Sequence, residues 1–317
     1  MLDAEALLRS ARRPLVLGMG GGGDVVGALA TAEFARLYDG ADPVLGGLAW
    51  ERRPIDPVPG PRKPNEIEDA EPLAPGILQA GPRTRVSGRD VFFAESRMAE
   101  FLGAPTILVT LDEGPAQLAR GLARVASQLG ADLVVFIDVG GDVLAAGDEP
   151  GLRSPLCDAL MLAAAARLAA AGHRVLAGVF GIGCDAELTP DEVLGHLARL
   201  AAADGLCGAR GLTGAVAKRL EAAIELVPTE ASAMAVRAFR GASGTAAIRG
   251  GSRTLKLSVD AATTFYIDVE VAMQVCGTMA AAVSDACSLE EANDALRALG
   301  IRTELDLERE VASAASG

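Results

Sequence analysis

The chain has 317 residues, half of them hydrophobic and only 3% aromatic, and its 42 acidic and 29 basic residues give a net charge of −13. Such a chain repels phosphate backbones, so we expect no nucleic-acid partner. No run approaches the roughly 18 apolar residues of a membrane span, so we expect no membrane association. The five scattered cysteines form no C-x-x-C pair, which indicates a reduced compartment and hence a cytoplasmic protein.

Short apolar runs alternate with Ala- and Leu-rich stretches through residues 1–207. The run "PLVLGMG" from Pro14 predicts a strand, and a helix is expected to follow from Asp24 to about Tyr38. Three further strand–helix pairs are predicted, with strands from Pro105, Asp132 and His173. This alternation is typical of βαβ units, so the sequence predicts a doubly wound, mostly parallel, Rossmann-like α/β domain over residues 1–207.

Two regions interrupt the alternation. A Pro-rich insertion at about 50–91 is expected to contain a small hairpin at the sheet edge, because long segments without regular structure are uncommon in compact domains. Residues 208–317 are expected to form a smaller C-terminal α+β portion packed on the first domain. Within it we predict a β-hairpin around Gly250–Gly251 and a helix with Ser288 at its N-cap.

A glycine-rich loop follows the first strand. Gly18, Gly20 and Gly23 satisfy G-x-G-x-x-G between a predicted strand and a predicted helix. Together with Gly21 and Gly22 they are the predicted cofactor- or anion-binding residues, because glycines let a ligand approach backbone N–H groups at the positive end of a helix. The alternative is a tight strand-to-helix crossing without a ligand.

The same loop is compatible with an NAD(P)-dependent oxidoreductase. Such a fold needs an acid at the end of the second strand to bind a ribose, and Glu51 is available, although it lies 28 residues beyond Gly23. Asp24 argues against this alternative, because it stands where a pyrophosphate would lie. An ordinary helix N-cap explains Asp24 nearly as well.

Acidic residues recur after the later strands. Carboxyl ends of parallel strands share one edge of a sheet, where such folds bind ligands, so these acids are expected to meet. Clustered carboxylates need a cation or must keep a proton, and Mg²⁺ or Mn²⁺ suits oxygen ligands. The stretch "DVGGDVLAAGDE" therefore predicts a metal site of Asp138, Asp142 and Asp148. The alternative is that each acid caps a helix or is simply solvated.

The surroundings of this stretch complete the predicted site. Gly140 and Gly141 are expected to expose backbone to a cofactor, and Arg153 supplies a cation for an anionic group. The candidate catalytic acids are Asp24, Asp142 and Glu95.

Three weaker candidates have plain structural explanations. Cys184 lies in a glycine turn, where a helix N-terminus could lower its pKa, but a small packed thiol explains it better. Thr229 and Glu230 open a predicted helix. Either Thr229 caps this helix or Glu230 reaches the cleft, and helix capping is the simpler interpretation.

Several stretches, among them "GMGGGGDVVGAL", "FIDVGGDVLAAGDEPGLRSPLCDALML" and "FGIGCDAELTPDEV", resemble a family of uncharacterised archaeal and actinobacterial proteins, a domain of unknown function. The resemblance also includes "PTEASAMAVRAFRG" and the closing "SLEEANDALRALGIRTELDLE". It implies a cytoplasmic protein of prokaryotic type and carries no activity or catalytic residues.

The sequence favours a metal-assisted enzyme acting on a small phosphorylated or nucleotide-like molecule, with hydrolase, transferase and lyase chemistry all open. The alternatives are an NAD(P)-dependent oxidoreductase and a non-catalytic small-ligand sensor or assembly protein. A small-molecule substrate is the expected partner, and a homo-oligomer is left open.

Overall fold

A computed structural model describes residues 2–316. One large sheet organises the fold, and five parallel strands form its centre in the order β5-β2-β1-β6-β7. This confirms the predicted α/β fold with a mostly parallel, Rossmann-like sheet. The strands of the described residues are β1 (Pro14–Gly18), β2 (Val44–Leu48), β3 (Ile67–Ala74), β4 (Ile77–Val86), β5 (Thr106–Val109), β6 (Leu133–Val139), β7 (Val175–Phe180), β8 (Leu206–Gly211), β9 (Gly244–Ile248), β10 (Arg253–Leu257) and β11 (Thr263–Ile267).

Helices cover both faces of the sheet, as the continuous apolar strands require. Along β1, Leu15 and Leu17 enter one hydrophobic core and Val16 enters the other, because successive side chains of a strand point to opposite faces. The helices are α1 (Ala4–Ser10), α2 (Asp24–Phe34), α3 (Ala94–Leu102), α4 (Pro115–Leu129), α5 (Pro155–Ala170), α6 (Pro190–Ala202), α7 (Gly214–Leu226), α8 (Glu230–Phe239), α9 (Val269–Val275), α10 (Thr278–Val283), α11 (Leu289–Ala298) and α12 (Glu304–Ser316).

The helices divide between the two cores. Helices α1, α2, α3, α7 and α8 pack on the Val16 side, and α4, α5, α6 and α9 to α11 pack on the other. None of the helices within residues 2–316 is long and apolar enough to cross a membrane.

The Pro-rich insertion forms the predicted hairpin. Strands β3 and β4 pair antiparallel, and β4 pairs antiparallel with β5, so the insertion extends the main sheet at one edge.

The C-terminal residues complete the opposite edge. Strand β11 lies between β7 and β8 and pairs antiparallel with both, so the boundary expected at residue 207 falls within β8 of the same sheet. The predicted hairpin around Gly250–Gly251 is confirmed as β9 and β10, which form a separate two-stranded sheet.

The topology defines one crevice. From β1 the chain runs to β2 on one side, and the later strands β6 and β7 lie on the other. In open α/β sheets, ligands bind at such a switch point, outside the carboxyl ends of the strands. The glycine-rich loop after β1 and the Asp138 loop after β6 both lie there, which is why the fold brings these two segments together.

Candidate functional site

The glycine-rich loop holds an acid of its own chain. The Gly20 N–H donates to Asp24 Oδ2 at 3.0 Å, and the Gly22 N–H donates to the Trp50 carbonyl at 2.8 Å. Helix α2 begins at Asp24, and its N-cap is Gly23. Asp24 is therefore not the N-cap residue of α2. Its carboxylate instead accepts the Gly20 N–H, which the sequence had suggested would bind an anionic ligand.

The glycines of this loop are also required by packing. A Cβ atom on Gly21 would lie 2.6 Å from the Trp50 carbonyl oxygen, and one on Gly23 would lie 2.3 Å from Thr229 Cβ. Gly22 has a φ of +71°, which L-residues rarely adopt. Substitutions in this loop thus disturb the fold whether or not a ligand binds.

Five buried carboxylates meet at the crevice, and we call them the carboxylate cluster: Asp138, Asp142, Asp158, Asp185 and Glu187. They form two groups of three that share Asp142, and within each group one oxygen per residue lies within 4.8 Å of the others. The first group is Asp138, Asp142 and Asp158, and the second is Asp142, Asp185 and Glu187. Each residue is at most 7% exposed.

The loop after β6 sets the positions of two of these acids. Asp138 belongs to the end of β6, and its Oδ2 accepts the Gly141 N–H at 2.8 Å. Gly140 and Gly141 adopt φ angles of +133° and +113°, which turn the chain tightly before Asp142. A Cβ atom on Gly140 would lie 2.3 Å from the Asp185 carboxyl carbon. These glycines therefore allow the carboxylates to approach one another.

The remaining acids come from other elements. Asp158 lies in the first turn of α5, and Asp185 and Glu187 follow β7. Glu187 Oε2 accepts the N–H groups of Arg153 and Ser154 at 2.6 and 2.8 Å, and its Oε1 accepts the Ser154 hydroxyl at 2.7 Å. Glu187 thus fixes the segment that leads into α5, and with it the position of Asp158.

Burial and mutual repulsion favour the protonated forms of the four aspartates of the cluster. Burial raises the pKa of Asp138 to about 6. Burial, and then the charges of Asp158 and Asp138, raise the pKa of Asp142 well above its usual range. Burial also raises the pKa values of Asp158 and Asp185 strongly, and neighbouring carboxylates add to both shifts. Without a cation, the cluster must therefore retain protons.

One buried oxygen of the carboxylate cluster has no hydrogen-bond partner among the described residues. Asp158 is 2% exposed, and its Oδ1 has no hydrogen-bond partner among residues 2–316. A buried polar atom without a partner costs about 1–3 kcal/mol, so an unpaired carboxylate oxygen here needs an explanation. A bound cation would satisfy it.

Asp24 connects the glycine-rich loop to this cluster. Burial, followed by the charge of Asp138, raises the pKa of Asp24 to about 8. The charge of Asp24 in turn contributes to the raised pKa of Asp158. The structure thus brings together three of the predicted site residues, Asp24, Asp138 and Asp142.

Two other residues of the predicted site, Asp148 and Arg153, have exposed side chains outside the carboxylate cluster. Asp148 is exposed and belongs to neither carboxylate group, and Asp158 provides the third carboxylate beside Asp138 and Asp142. The Arg153 side chain is exposed, and only its backbone N–H contacts the cluster, through Glu187.

Glu95 and Glu51 form a second buried acidic pair beside β2. Glu51 Oε1 accepts the Ala94 N–H at 2.6 Å, at the start of α3, so it caps this helix. Glu95 is 1% exposed, and its Oε2 has no hydrogen-bond partner among the described residues. Burial, then the charges of Glu51 and Asp24, raise the pKa of Glu95 well above its usual range. The protonated form of Glu95 is therefore favoured relative to an exposed glutamate.

Arg52, Glu304 and Arg253 also lie near the crevice, and none of them was predicted from the sequence. Arg52 Nη2 lies 3.4 Å from Cys157 Sγ and 3.4 Å from Glu304 Oε1, and its guanidinium lies 4.2 Å from the centre of the Trp50 ring. The Glu304 carboxylate accepts the N–H groups of Leu156 and Cys157, both at 2.9 Å, and so caps α5. Arg253 Nη1 lies 3.6 Å from Glu187 Oε1. Asp158 was not predicted either, because it lies inside the apolar helix α5.

The weaker candidates have structural roles. Cys184 is fully buried, and burial raises its pKa to about 12, so it is an unreactive packed thiol. Thr229 is the N-cap residue of α8 and packs against Gly23. Glu230 accepts the Arg249 N–H at 2.8 Å.

Residues 15–312 match the DUF1152 family, whose description is "protein of unknown function". The chain therefore belongs to this family. The match covers almost the whole chain and confirms the resemblance seen in its motifs. None of the curated proteins and none of the solved structures compared with the chain matches it.

Proposed function

We propose that this chain is a metal-dependent enzyme that acts on a small phosphorylated or nucleotide-like molecule. The carboxylate cluster supports the proposal most directly, because five buried acids share one crevice and one of their oxygens has no partner. Buried charge is tolerated only when it is neutralised or paired. Mg²⁺ or Mn²⁺ is the proposed cation, because all the candidate ligands are carboxylate oxygens.

The first carboxylate group is the proposed primary cation site. Asp138, Asp142 and Asp158 would hold the ion there, since this group contains the unpartnered Asp158 oxygen. A bound cation polarises substrate oxygens and lowers the pKa of water. Glu187 keeps Asp158 in position through its hydrogen bonds to Arg153 and Ser154.

Asp24 is the proposed proton donor. Its pKa of about 8 leaves the carboxyl group protonated at neutral pH, and a general acid works best with a pKa near the working pH. The hydrogen bond from Gly20 fixes the orientation of this carboxyl group. The loop thus has a catalytic role in this proposal, and the amide of Gly20 does not bind substrate.

An NAD(P)-dependent reaction has less support. The Gly20 amide is used by Asp24, and the Glu51 carboxylate, which would bind a ribose, caps α3. Both groups that the dinucleotide alternative needs are therefore already occupied within the chain.

Metal titration monitored by thermal unfolding tests the proposal. A ligand that binds only the native state stabilises it by about 2.7 kcal/mol at a hundred times its Kd. We expect Mg²⁺ or Mn²⁺ to raise the melting temperature of the parent, and Asp158→Asn to abolish the rise. A parent that does not respond to either ion would refute the metal site. Metal binding without turnover of any phosphorylated metabolite would instead favour the sensor alternative.

A further inference from the structure

Two arginine side chains at the crevice are incompletely bonded. Arg52 Nη1 and Arg253 Nη1 are buried, and neither has a hydrogen-bond partner among residues 2–316. Their carboxylate contacts are long: Arg52 lies 3.4 Å from Glu304 and 3.5 Å from Glu308, and Arg253 lies 3.6 Å from Glu187. Charge-assisted N–H···O bonds are usually 2.7–2.9 Å. Both guanidinium groups therefore lie beside acids without strong pairing.

Arg210, a buried arginine of the same chain, shows the contrast. Arg210 Nη1 lies 2.6 Å from Asp39 Oδ2, and its Nε lies 2.9 Å from Glu5 Oε2. Arg210 thus makes the short, paired contacts expected of a structural ion pair. The fold can thus pair a buried arginine closely, whereas Arg52 and Arg253 keep longer contacts although both lie beside acids of the crevice.

Both arginines lie where a substrate at the carboxylate cluster would be bound. Arg253 contacts Glu187, a member of the cluster. Arg52 follows β2 and lies along the glycine-rich loop, with its Nε 3.0 Å from the position of a Cβ atom on Gly21. The charge of Glu187 also acts on Arg52. Both guanidinium groups therefore interact with the charge of the same carboxylate, that of Glu187.

We infer that Arg52 and Arg253 together bind a phosphate group of the substrate beside the carboxylate cluster. This inference rests on the proposed function and assigns its substrate class. An anionic substrate would be repelled by the five acids unless cations compensate their charge. A phosphate monoester offers three oxygens that can bind two guanidinium groups and a cation at once. Exposed Arg153, which the sequence suggested, is not needed for this role.

Isothermal titration with inorganic phosphate in saturating Mg²⁺ tests the assignment. We expect the parent to bind phosphate, and Arg52→Lys and Arg253→Gln each to weaken binding at least about tenfold. Lysine keeps the charge but loses the forked geometry of arginine, so Arg52→Lys tests geometry without removing the cation. Arg240→Gln is the matched control, because Arg240 pairs with Glu221 on the surface, and it should bind phosphate like the parent. Melting temperatures of all variants verify that they are folded.

The outcomes separate this inference from the proposed function. A parent that responds to Mg²⁺ but binds no phosphate, or binds acetate equally well, overturns the arginine assignment and leaves the metal site. Variants that bind phosphate like the parent also overturn the assignment. Phosphate binding that depends on both arginines in a protein without any metal response supports the assignment and refutes the metal site.

Discussion

The backbone N–H of Gly20 donates a hydrogen bond to Asp24 Oδ2 at 3.0 Å. The glycine-rich loop therefore presents an acid to the crevice, and this acid interacts electrostatically with Asp138 and Asp158. A sequence motif usually associated with phosphate binding here positions a protonated carboxyl group, which makes its titration the first property to test.

Asp24 should make the metal-free protein less stable as the pH rises. Its native pKa of about 8 exceeds the ordinary value of 3.8, so between these values the native state holds a proton that the unfolded state has released. The stabilisation is complete below about pH 4 and is lost as the pH rises through 8. Asp24→Asn keeps an acceptor for Gly20 and removes this dependence. We expect the free energy of unfolding in urea to fall more between pH 5.5 and 7.5 for the parent than for Asp24→Asn, by at most about 2–3 kcal/mol.

The double variant Asp138→Asn, Asp142→Asn should be at least as stable as the parent in metal-free buffer. It removes two carboxyl groups whose charged forms are disfavoured by burial. We expect a gain of up to about 1–3 kcal/mol near pH 8, the usual cost of a poorly satisfied buried polar group, together with loss of the metal response and of activity. The variant Asp148→Asn tests which third carboxylate binds the metal, Asp148 as the sequence suggested or Asp158 as proposed from the structure.

We expect Asp148→Asn to keep the metal response, and its loss would contradict the assignment to Asp158.

Gly23→Ala should destabilise the protein through a clash with Thr229. The new Cβ atom would lie 2.3 Å from Thr229 Cβ, and overpacking typically costs about 1–3 kcal/mol. Thr229→Gly should recover part of this loss in the double variant, which denaturant unfolding can measure as a coupling energy. Gly195→Ala is the control, because it lies in α6 with nothing within 4 Å of its Cβ position. It should be neutral or stabilise the protein by up to about 1 kcal/mol. If the effects of Gly23→Ala and Thr229→Gly on the free energy of unfolding were simply additive, the close contact between these two residues would be refuted.

The His196–Glu149 contact should be visible by NMR. His196 Nε2 lies 3.3 Å from Glu149 Oε1, and its Nδ1 contacts Arg199 Nη2. Interactions with Cys276 and Glu149 raise the pKa of His196 to about 9, against the opposing charge of Arg199. Glu149→Gln should lower the His196 pKa by about one unit or more. The resulting stabilisation is present below the ordinary pKa of 6.5 and is lost as the pH rises through 9. His173, the other histidine and an exposed one, is the internal reference. An unchanged His196 titration would show that Glu149 does not act on it.

The order of strands and helices could be predicted from the sequence because it depends on local patterns. Apolar runs such as the one from Pro14 and helix signals such as Ser288, the N-cap of α11, act within a few residues. The meeting of the β1 and β6 loops followed from a general rule of parallel sheets. Local patterns could not show that β11 inserts between β7 and β8, since that pairing joins residues far apart in the chain.

The site residues divide in the same way. Asp138 and Asp142 follow a strand directly, so their location at the sheet edge could be inferred. Asp158 lies inside an apolar helix, and its proximity to Asp142 depends on where α5 begins. That start is held by Glu187 and Glu304 from distant segments. Asp148 has the right spacing in sequence but projects from an exposed part of the loop.

The position of β11 between β7 and β8 has a consequence for synthesis on the ribosome. Strand β8 ends at Gly211, but its neighbour β11 begins only at Thr263, so about fifty further residues must be made before β8 can join the sheet. Until then, the β7 edge presents unpaired N–H and C=O groups of the kind that promote aggregation. A nascent chain released after β8 would carry one unpaired strand, β8, and one open sheet edge, that of β7. Chaperone binding should peak at this length and fall once β11 emerges.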